Sequence, residues 1–516
     1  MKSYIAILLF ISPVFTYGKS NFDVSYYDID VRLNLSDSSI SCSNTIHGAV
    51  TENTNSIFFD LIDAYQIDSV VSTHHGLKKV DRKNNKVEVF FKSAVTIEEQ
   101  VAVSIYYTGK PPVSHKPPWE GGFIWSKDSL GYPLLGIVCQ NEGASIWLPC
   151  KDELDNEPDS IQMTIHLNDT SLTGVSNGRL VDKIEKENEN IFVWKVSYPI
   201  NPYNITLNIG HYEQIQDVYF DDNGKALSLN YYMLPYHIEK ARNHFTQVKK
   251  MLKIYENLYG PYPFWRDGYK LVESPYWGME HQTAIAYGND FSNNSFGFDF
   301  ILIHESAHEY WGNSISCTEK SQFWIHEAYA TYSEVLYVED RYDYDSSVAY
   351  LKLIRSRIKN ETSIANDQFG STDMYYKGAW MLQTLRSVVN NDYLWFSCLK
   401  DLSSKYAYQN ITDTELLNHI TDYVGLKAIA VFEQYLNHAT IPELHIKKKI
   451  KKRKTIFRIS LHSDVDWLEL PFLLEYENKQ KRIVASKKEQ KVKIKMKKDV
   501  LINTSESLVE LKLEKR

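Results

Sequence analysis

Cysteine is scarce in this chain, with five residues (Cys42, Cys139, Cys150, Cys317 and Cys398) among 516. So few cross-links exclude a disulfide-built scaffold, and stability must come from a hydrophobic core. The odd number leaves at least one thiol unpaired within the chain, and any bridge between Cys139 and Cys150 depends on a geometry that sequence does not fix. An excess of one charge is also missing: the net charge of -8 over this length gives no global field that would recruit nucleic acid. Internal repeats and low-complexity linkers are absent. The apolar run near the start, MKSYIAILLFISPVFTYG, is interrupted by Pro13 and falls short of the roughly 20 residues that span a bilayer. Opening on Lys2 and ending on small residues near Thr16 and Gly18, it has the pattern of a secretory leader. The expected location is therefore secreted or periplasmic, and contact with a membrane is expected only if residues 1–18 stay attached as an anchor.

What the chain does contain is ordinary for a folded protein. Hydrophobic residues make up 43% and charged residues 24%, which argues against long disordered stretches. The length suggests two to four domains on the usual scale of about 100–200 residues each. Tyrosine is abundant at 36 residues, and its apolar body with a polar tip suits wet sheet faces and substrate clefts equally.

From Asn21 to about Tyr232 the text alternates with a period of two. Ile29, Val31, Leu33 and Leu35 interleave with polar residues, the mark of a half-buried strand. Short runs of the same kind recur at Val87 to Phe91, Val101 to Ile105 and Ile191 to Val196, so residues 19–232 are expected to form an antiparallel β domain. The period changes at His237. Ile238, Ala241, Phe245, Val248, Met251, Leu252, Tyr255 and Leu258 mark an amphipathic helix, which should stop at Gly260, Pro261 and Pro263. Helical text dominates residues 233–440, interrupted by a strand-like stretch at Gly268 to Val272. Past Pro442 a lysine-rich, strand-like region fills residues 441–516, and the lysines from Lys447 to Lys454 read as a solvated strand face or a protected edge.

The chemistry is concentrated in His304-Glu305-Ser306-Ala307-His308. On a helix, residues four apart share a face, so both imidazoles can reach one metal while Glu305 lies close enough to take a proton from water there. Three fixed residues recur by chance in a chain of this size with a probability on the order of a few per cent, and alone they could be two surface histidines. A second helical segment, Phe323 to Glu334, places Glu327 eighteen intervening residues after His308. A catalytic zinc wants three protein ligands and one open position, and His304, His308 and Glu327 supply the three. Glu334, two turns beyond Glu327, either orients a ligand imidazole or is an ordinary exposed carboxylate.

These segments resemble the gluzincin zinc aminopeptidases, the family of aminopeptidase N and leukotriene hydrolase. Trp277-Gly278-Met279-Glu280-His281 stands where those enzymes carry Gly-x-Met-Glu-Asn, and the resemblance assigns Glu280 to the free α-amine of the substrate. A carboxylate there would make the enzyme read a chain end, with Gly278 and Met279 lying along an extended peptide. Trp277 and His281 depart from the family pattern, which bears on side-chain preference and not on the amine anchor. Tyr375-Tyr376-Lys377-Gly378 is similar to the family's Tyr-x-Lys-Gly, which makes Tyr375, in preference to Tyr376, the oxyanion stabiliser. In the segment Cys139 to Cys150, Gln140 falls where the family places an assistant to the amine anchor. Glu142 is the alternative, and a plain polar turn is the competing reading of this loop.

The implied fold is multidomain α+β: an N-terminal antiparallel β saddle, a thermolysin-like, mostly helical catalytic domain and a small C-terminal β domain, without the large C-terminal helical domain of many family members. The implied activity is that of an aminopeptidase with one Zn2+ per chain, acting on peptides with a free N-terminus and using Glu305 as general base. Two rivals are a zinc endopeptidase, which would cleave amino-blocked peptides equally well, and a catalytically silent peptide-binding scaffold.

Overall fold

Ile29, Val31 and Leu33 point inward from a single strand, Phe22–Asn34, in which buried and exposed residues alternate. A computed structural model of the chain describes residues 21–73, 75–365, 371–451, 454–495 and 500–514. The leader read in residues 1–18 lies outside them, as do Lys452 and Arg453 of the basic segment. No helix among the described residues is long and apolar enough to cross a membrane.

Among the described residues the first large sheet has seven strands, in the order Arg179–Lys186, Glu189–Val196, Ser160–Leu167, Phe22–Asn34, Ser39–Val50, Gln100–Gly109 and Tyr65–Ser72. Its pairings are antiparallel with one exception, since Phe22–Asn34 runs parallel to Ser160–Leu167. The sheet is thus antiparallel, as expected for this domain, around one parallel pair. A parallel pair needs a long crossover, and the chain between these two strands is long enough to supply one. A smaller sheet containing Gly122–Lys127 and Pro133–Val138 ends at the turn that carries Gln140.

The next sheet holds the site. Its order is Glu213–Phe220, Ala226–Met233, Tyr269–Glu273, Ile285–Tyr287 and Gly278–Met279. The last of these is an edge strand, paired on one side only, and the sheet runs continuously across residue 232.

The amphipathic pattern that starts at Ile238 forms two helices, α1 (Ile238–His244) and α2 (Thr246–Tyr259). The chain turns at Phe245 because that ring packs against Tyr231, Tyr287 and Phe291, with centroids 5.0, 5.0 and 5.6 Å away. Burying a phenyl in that cluster outweighs one regular backbone bond. Gly260, at φ 100°, ends α2 as expected. Then follow α3 (Phe300–Ala307), α4 (Trp324–Arg341), α5 (Tyr344–Arg355), α6 (Asp373–Val389), α7 (Asp392–Lys405), α8 (Asp413–Val424) and α9 (Lys427–Asn437). Fifteen consecutive residues of α4, Trp324 to Val338, are buried, so it is the central element of this part.

The lysine-rich segment is the strand Glu443–Lys451, which lies between Lys454–His462 and Glu510–Glu514. It is therefore interior to its sheet. Leu444 and Ile446 are buried, Lys449 and Lys451 are exposed, and the lysines occupy a solvated face.

Candidate metal centre and substrate cleft

Helix α3 is anchored at its start. Asp299 accepts a capping bond from the Leu302 amide, which satisfies a donor that a helix end leaves open, and is itself held by bonds from Tyr287 and Asn289. The helix stops at Ala307, one residue earlier than His308. His308 nevertheless keeps right-handed helical angles (φ -63°, ψ -21°), so its imidazole still stands one turn beyond His304, with ring centroids 4.9 Å apart. Glu327 comes from the first turn of α4, where the positive end of the helix favours a carboxylate.

The three donor atoms form a nearly equilateral triangle. His304 Nε2 lies 3.3 Å from His308 Nε2, and each lies 3.4 Å from Glu327 Oε2. Zinc bonds of about 2.0–2.1 Å in tetrahedral geometry put neighbouring donors roughly 3.3–3.4 Å apart. Glu327 Oε2 is buried without a hydrogen-bond partner among the described residues, a cost that a cation would remove. His308 Nδ1 faces the Trp311 carbonyl at 2.9 Å. A carbonyl only accepts, so in the neutral ring the proton sits on Nδ1 and the Nε2 lone pair points into the triangle. His304 Nδ1 pairs at 2.7 Å with Glu334 Oε1, whose other oxygen accepts from Tyr350. Glu334 is 1% exposed, and the exposed-carboxylate reading is therefore corrected.

Charge reinforces this fit. Burial by itself disfavours charged imidazole, yet Glu327 and Glu280 push His308 up to about 9. Burial likewise opposes charge on Glu327, but His308 and His304 hold its carboxyl well below the usual range. The pocket carries negative potential in search of a cation, and the donor set of two imidazoles and one carboxylate suits zinc.

Glu305 sits beside the triangle, and burial raises its carboxyl to about 7 against the opposing pull of His304 and His308. A group balanced there can both take and return a proton near neutral pH. Opposite it runs the edge strand. A Cβ on Gly278 would come within 2.7 Å of Ile301 and 2.9 Å of Glu305, so only glycine lets the strand lie this close to α3. Glu280 follows, 3% exposed. Its Oε1 accepts from Gln140 Nε2 at 2.6 Å and from the Tyr203 hydroxyl at 3.1 Å, and Asn313 holds its backbone carbonyl at 2.9 Å. Gln140 thus lies in a turn and also reaches Glu280. The alternative residue, Glu142, packs beside Gly121. His281 is buried, and its Nδ1 has no partner among the described residues.

Tyr375, in the first turn of α6, donates to Glu327 Oε1 at 3.0 Å, whereas the Tyr376 hydroxyl accepts from Arg357. The residues around Tyr375 explain its placement. Lys377 binds the carbonyls of His438 and Ala439, and Gly378 packs so tightly on α4 that a Cβ there would lie 2.6 Å from Ala328 Cβ. The cleft between these groups has a volume of about 190 Å3 and is bordered by Trp277, Met279, Phe300, Ile301 and Tyr375 together with the ionisable groups above. That is small beside the roughly 300–1,000 Å3 of common ligand sites, and it suits a chain end. Cys139 and Cys150 are buried free thiols, with Cys139 Sγ donating to the Tyr203 carbonyl.

Tyr203, Asn313, Tyr350 and the Trp311 carbonyl complete the site without having been marked by any sequence signal. Tyr203 stands 77 positions from Glu280, in a short turn whose local cues are the capping residue Asn201 and Pro202 after it.

The description Peptidase family M1 domain matches residues 244–435, which span the metal triangle and Tyr375. This chain carries an M1 peptidase domain. Among curated relatives it is 21% identical over 426 residues to a leucyl aminopeptidase of Saccharolobus solfataricus, covering 76% of this chain and 50% of that protein. It is 22% identical over 325 residues to the leukotriene A-4 hydrolase of Xenopus laevis, covering 57% and 50%. The chain thus spans about half the length of these relatives. Among solved structures, an M1 zinc metallopeptidase from Deinococcus radiodurans has the same fold, with a TM-score of 0.72 at 18% identity over 82% of this chain and 95% of that one. A mutant form of the Deinococcus enzyme, bound to a Tyr-Ser-Ala substrate, superposes with a TM-score of 0.70 at 18% identity, covering 82% and 95%.

Within the M1 domain, Glu334 pairs with His304, one of the three donors of the triangle. The change Glu334→Gln should lower zinc affinity about 10- to 100-fold, read by competition with a chromophoric chelator, while the fold persists.

Proposed function

We propose that the chain is a zinc-dependent aminopeptidase that removes N-terminal residues from peptides. The observation that carries this reading is the position of Glu280. It is a buried carboxylate held by Gln140 and Tyr203, lining the same small cleft as His304, Glu305, His308 and Glu327. Its remaining oxygen can receive an ammonium group, and such a charge-assisted bond fixes the substrate by its free end. The first peptide bond then falls beside the metal ligands, which limits cleavage to the terminal residue.

When bound, zinc supplies Lewis acidity that polarises the scissile carbonyl and acidifies water. The chain's own residues do the rest. The free side of Gly278–Met279 holds the peptide extended, in the manner of an added strand. Glu305 accepts the proton of the attacking water and delivers it to the departing amine. Tyr375 turns its hydroxyl from Glu327 to the oxygen that gains charge. An endopeptidase would have no use for a buried anchor such as Glu280, and a silent scaffold would not need Glu305 poised near neutrality. The leader pattern in residues 1–18 extends the proposal to an exported enzyme.

The test is a digest of an unblocked decapeptide followed by mass spectrometry. Products shortened stepwise from the N-terminus, lost with a chelator and restored by zinc, are expected. Internal cleavage as the first event would overturn the proposal.

A further inference from the structure

One side chain on the cleft rim is not used by the proposed chemistry. Trp277 is 49% exposed, yet it is held in place. Its Nε1 donates to Asn289 at 2.9 Å, and Asn289 in turn binds Asp299, the cap of α3, at 2.8 Å. Its ring lies 5.5 Å from that of Phe300, and Phe300 lies 5.4 Å from the His304 ring. An indole fixed at its edge, with a face open to the cleft, is a prepared surface for apolar contact.

Its position along the edge strand gives the surface a meaning. Glu280, the amine anchor of the proposed function, lies at one end. Gly278 lies against Glu305 and so marks the reacting bond. Trp277 comes next in the same direction, past the metal ligands. A peptide laid antiparallel along the free side of this strand advances about 3.3–3.4 Å per residue. With the reacting bond set opposite Gly278, where Glu305 lies, one such step carries the residue that follows that bond to Trp277, while the Glu280 carboxylate takes the amine. The other exposed tryptophan of the cleft is Trp119. Its carbonyl is held at 2.8 Å by Asn141, the neighbour of Gln140, and it therefore flanks the first residue.

We infer that Trp277 and Phe300 form an aromatic platform for the side chain of the residue that follows the cleaved bond, so that the enzyme favours peptides whose second residue is aromatic or large and apolar. This rests on the aminopeptidase reading and adds a substrate class to it. Apolar subsites discriminate on the order of 10- to 200-fold per group recognised, so the expected preference is about tenfold or more.

The experiment compares two peptide pools, X-Phe-Ala-amide and X-Ala-Ala-amide, where X covers all common residues, and measures the ratio of their kcat/KM values for the zinc-loaded full chain. The wild type should show a ratio of about ten or more, and Trp277→Ala should bring it to about two or less. Trp277→Phe, which keeps a ring, should retain most of the preference. A purely structural Trp277 would lower both pools alike and leave the ratio intact, so an unchanged ratio in Trp277→Ala overturns the inference. A wild-type ratio near one overturns it as well and leaves the aminopeptidase reading standing. Failure to cut either pool would reject both.

Discussion

Replacing Glu305 by glutamine should lower kcat by at least about a thousandfold and leave one zinc bound per chain. The two halves of this result test different things. Glu305 is absent from the donor triangle, whose three atoms come from His304, His308 and Glu327, so metal content measured by elemental analysis should be unchanged. The amide keeps the shape of the carboxylate beside Gly278 and loses only its ability to accept and return a proton. General acid–base groups contribute about 100- to 10,000-fold, and one group serving both transfers should sit in the upper part of that range. Near-normal turnover with metal bound would remove Glu305 from the chemistry.

Replacing Glu280 by alanine should lower kcat/KM for unblocked peptides by about a hundredfold or more and have much less effect on amino-acetylated ones. Truncating one partner of a buried charged pair costs roughly 2–5 kcal/mol, and each 1.4 kcal/mol is about tenfold. The loss should appear in kcat as well as KM, because the proposed role of Glu280 is to set where the first peptide bond falls. The Glu280→Gln variant keeps the bond from Tyr203 and the volume of the side chain, which separates loss of charge from loss of packing. If unblocked peptides were cleaved as well by both variants as by the wild type, the cleft would not be reading the amine.

Local repetition made part of this molecule legible in the sequence. The alternation around Ile29 and the three-and-four spacing after His237 are short-range patterns, and strands and helices occupy those stretches in the structure. His304 and His308 were equally open to reading, because helix geometry fixes what residues four apart can reach, and Glu327 was read from a second helical segment as the third ligand that a catalytic zinc wants. Other features depend on distant partners. The turn at Phe245 is set by Tyr231, Tyr287 and Phe291, the parallel pairing of Phe22–Asn34 by a strand more than a hundred residues later, and the hold on Glu280 by Tyr203. The spacing of Glu334 suggested a role, but its burial and the Tyr350 contact could come only from the packed structure. Trp277 was visible as a departure from a family motif, and its use emerged once Phe300, Asn289 and the free edge of the strand were seen around it.

The central claim is that a free amine is read at a metal site, and the most direct measurement is the ratio of kcat/KM for one peptide and its N-acetylated counterpart with zinc-loaded wild-type protein. Loss of the charged pair at Glu280 predicts a ratio of about 100 or more in favour of the free peptide. A ratio near one would contradict the claim.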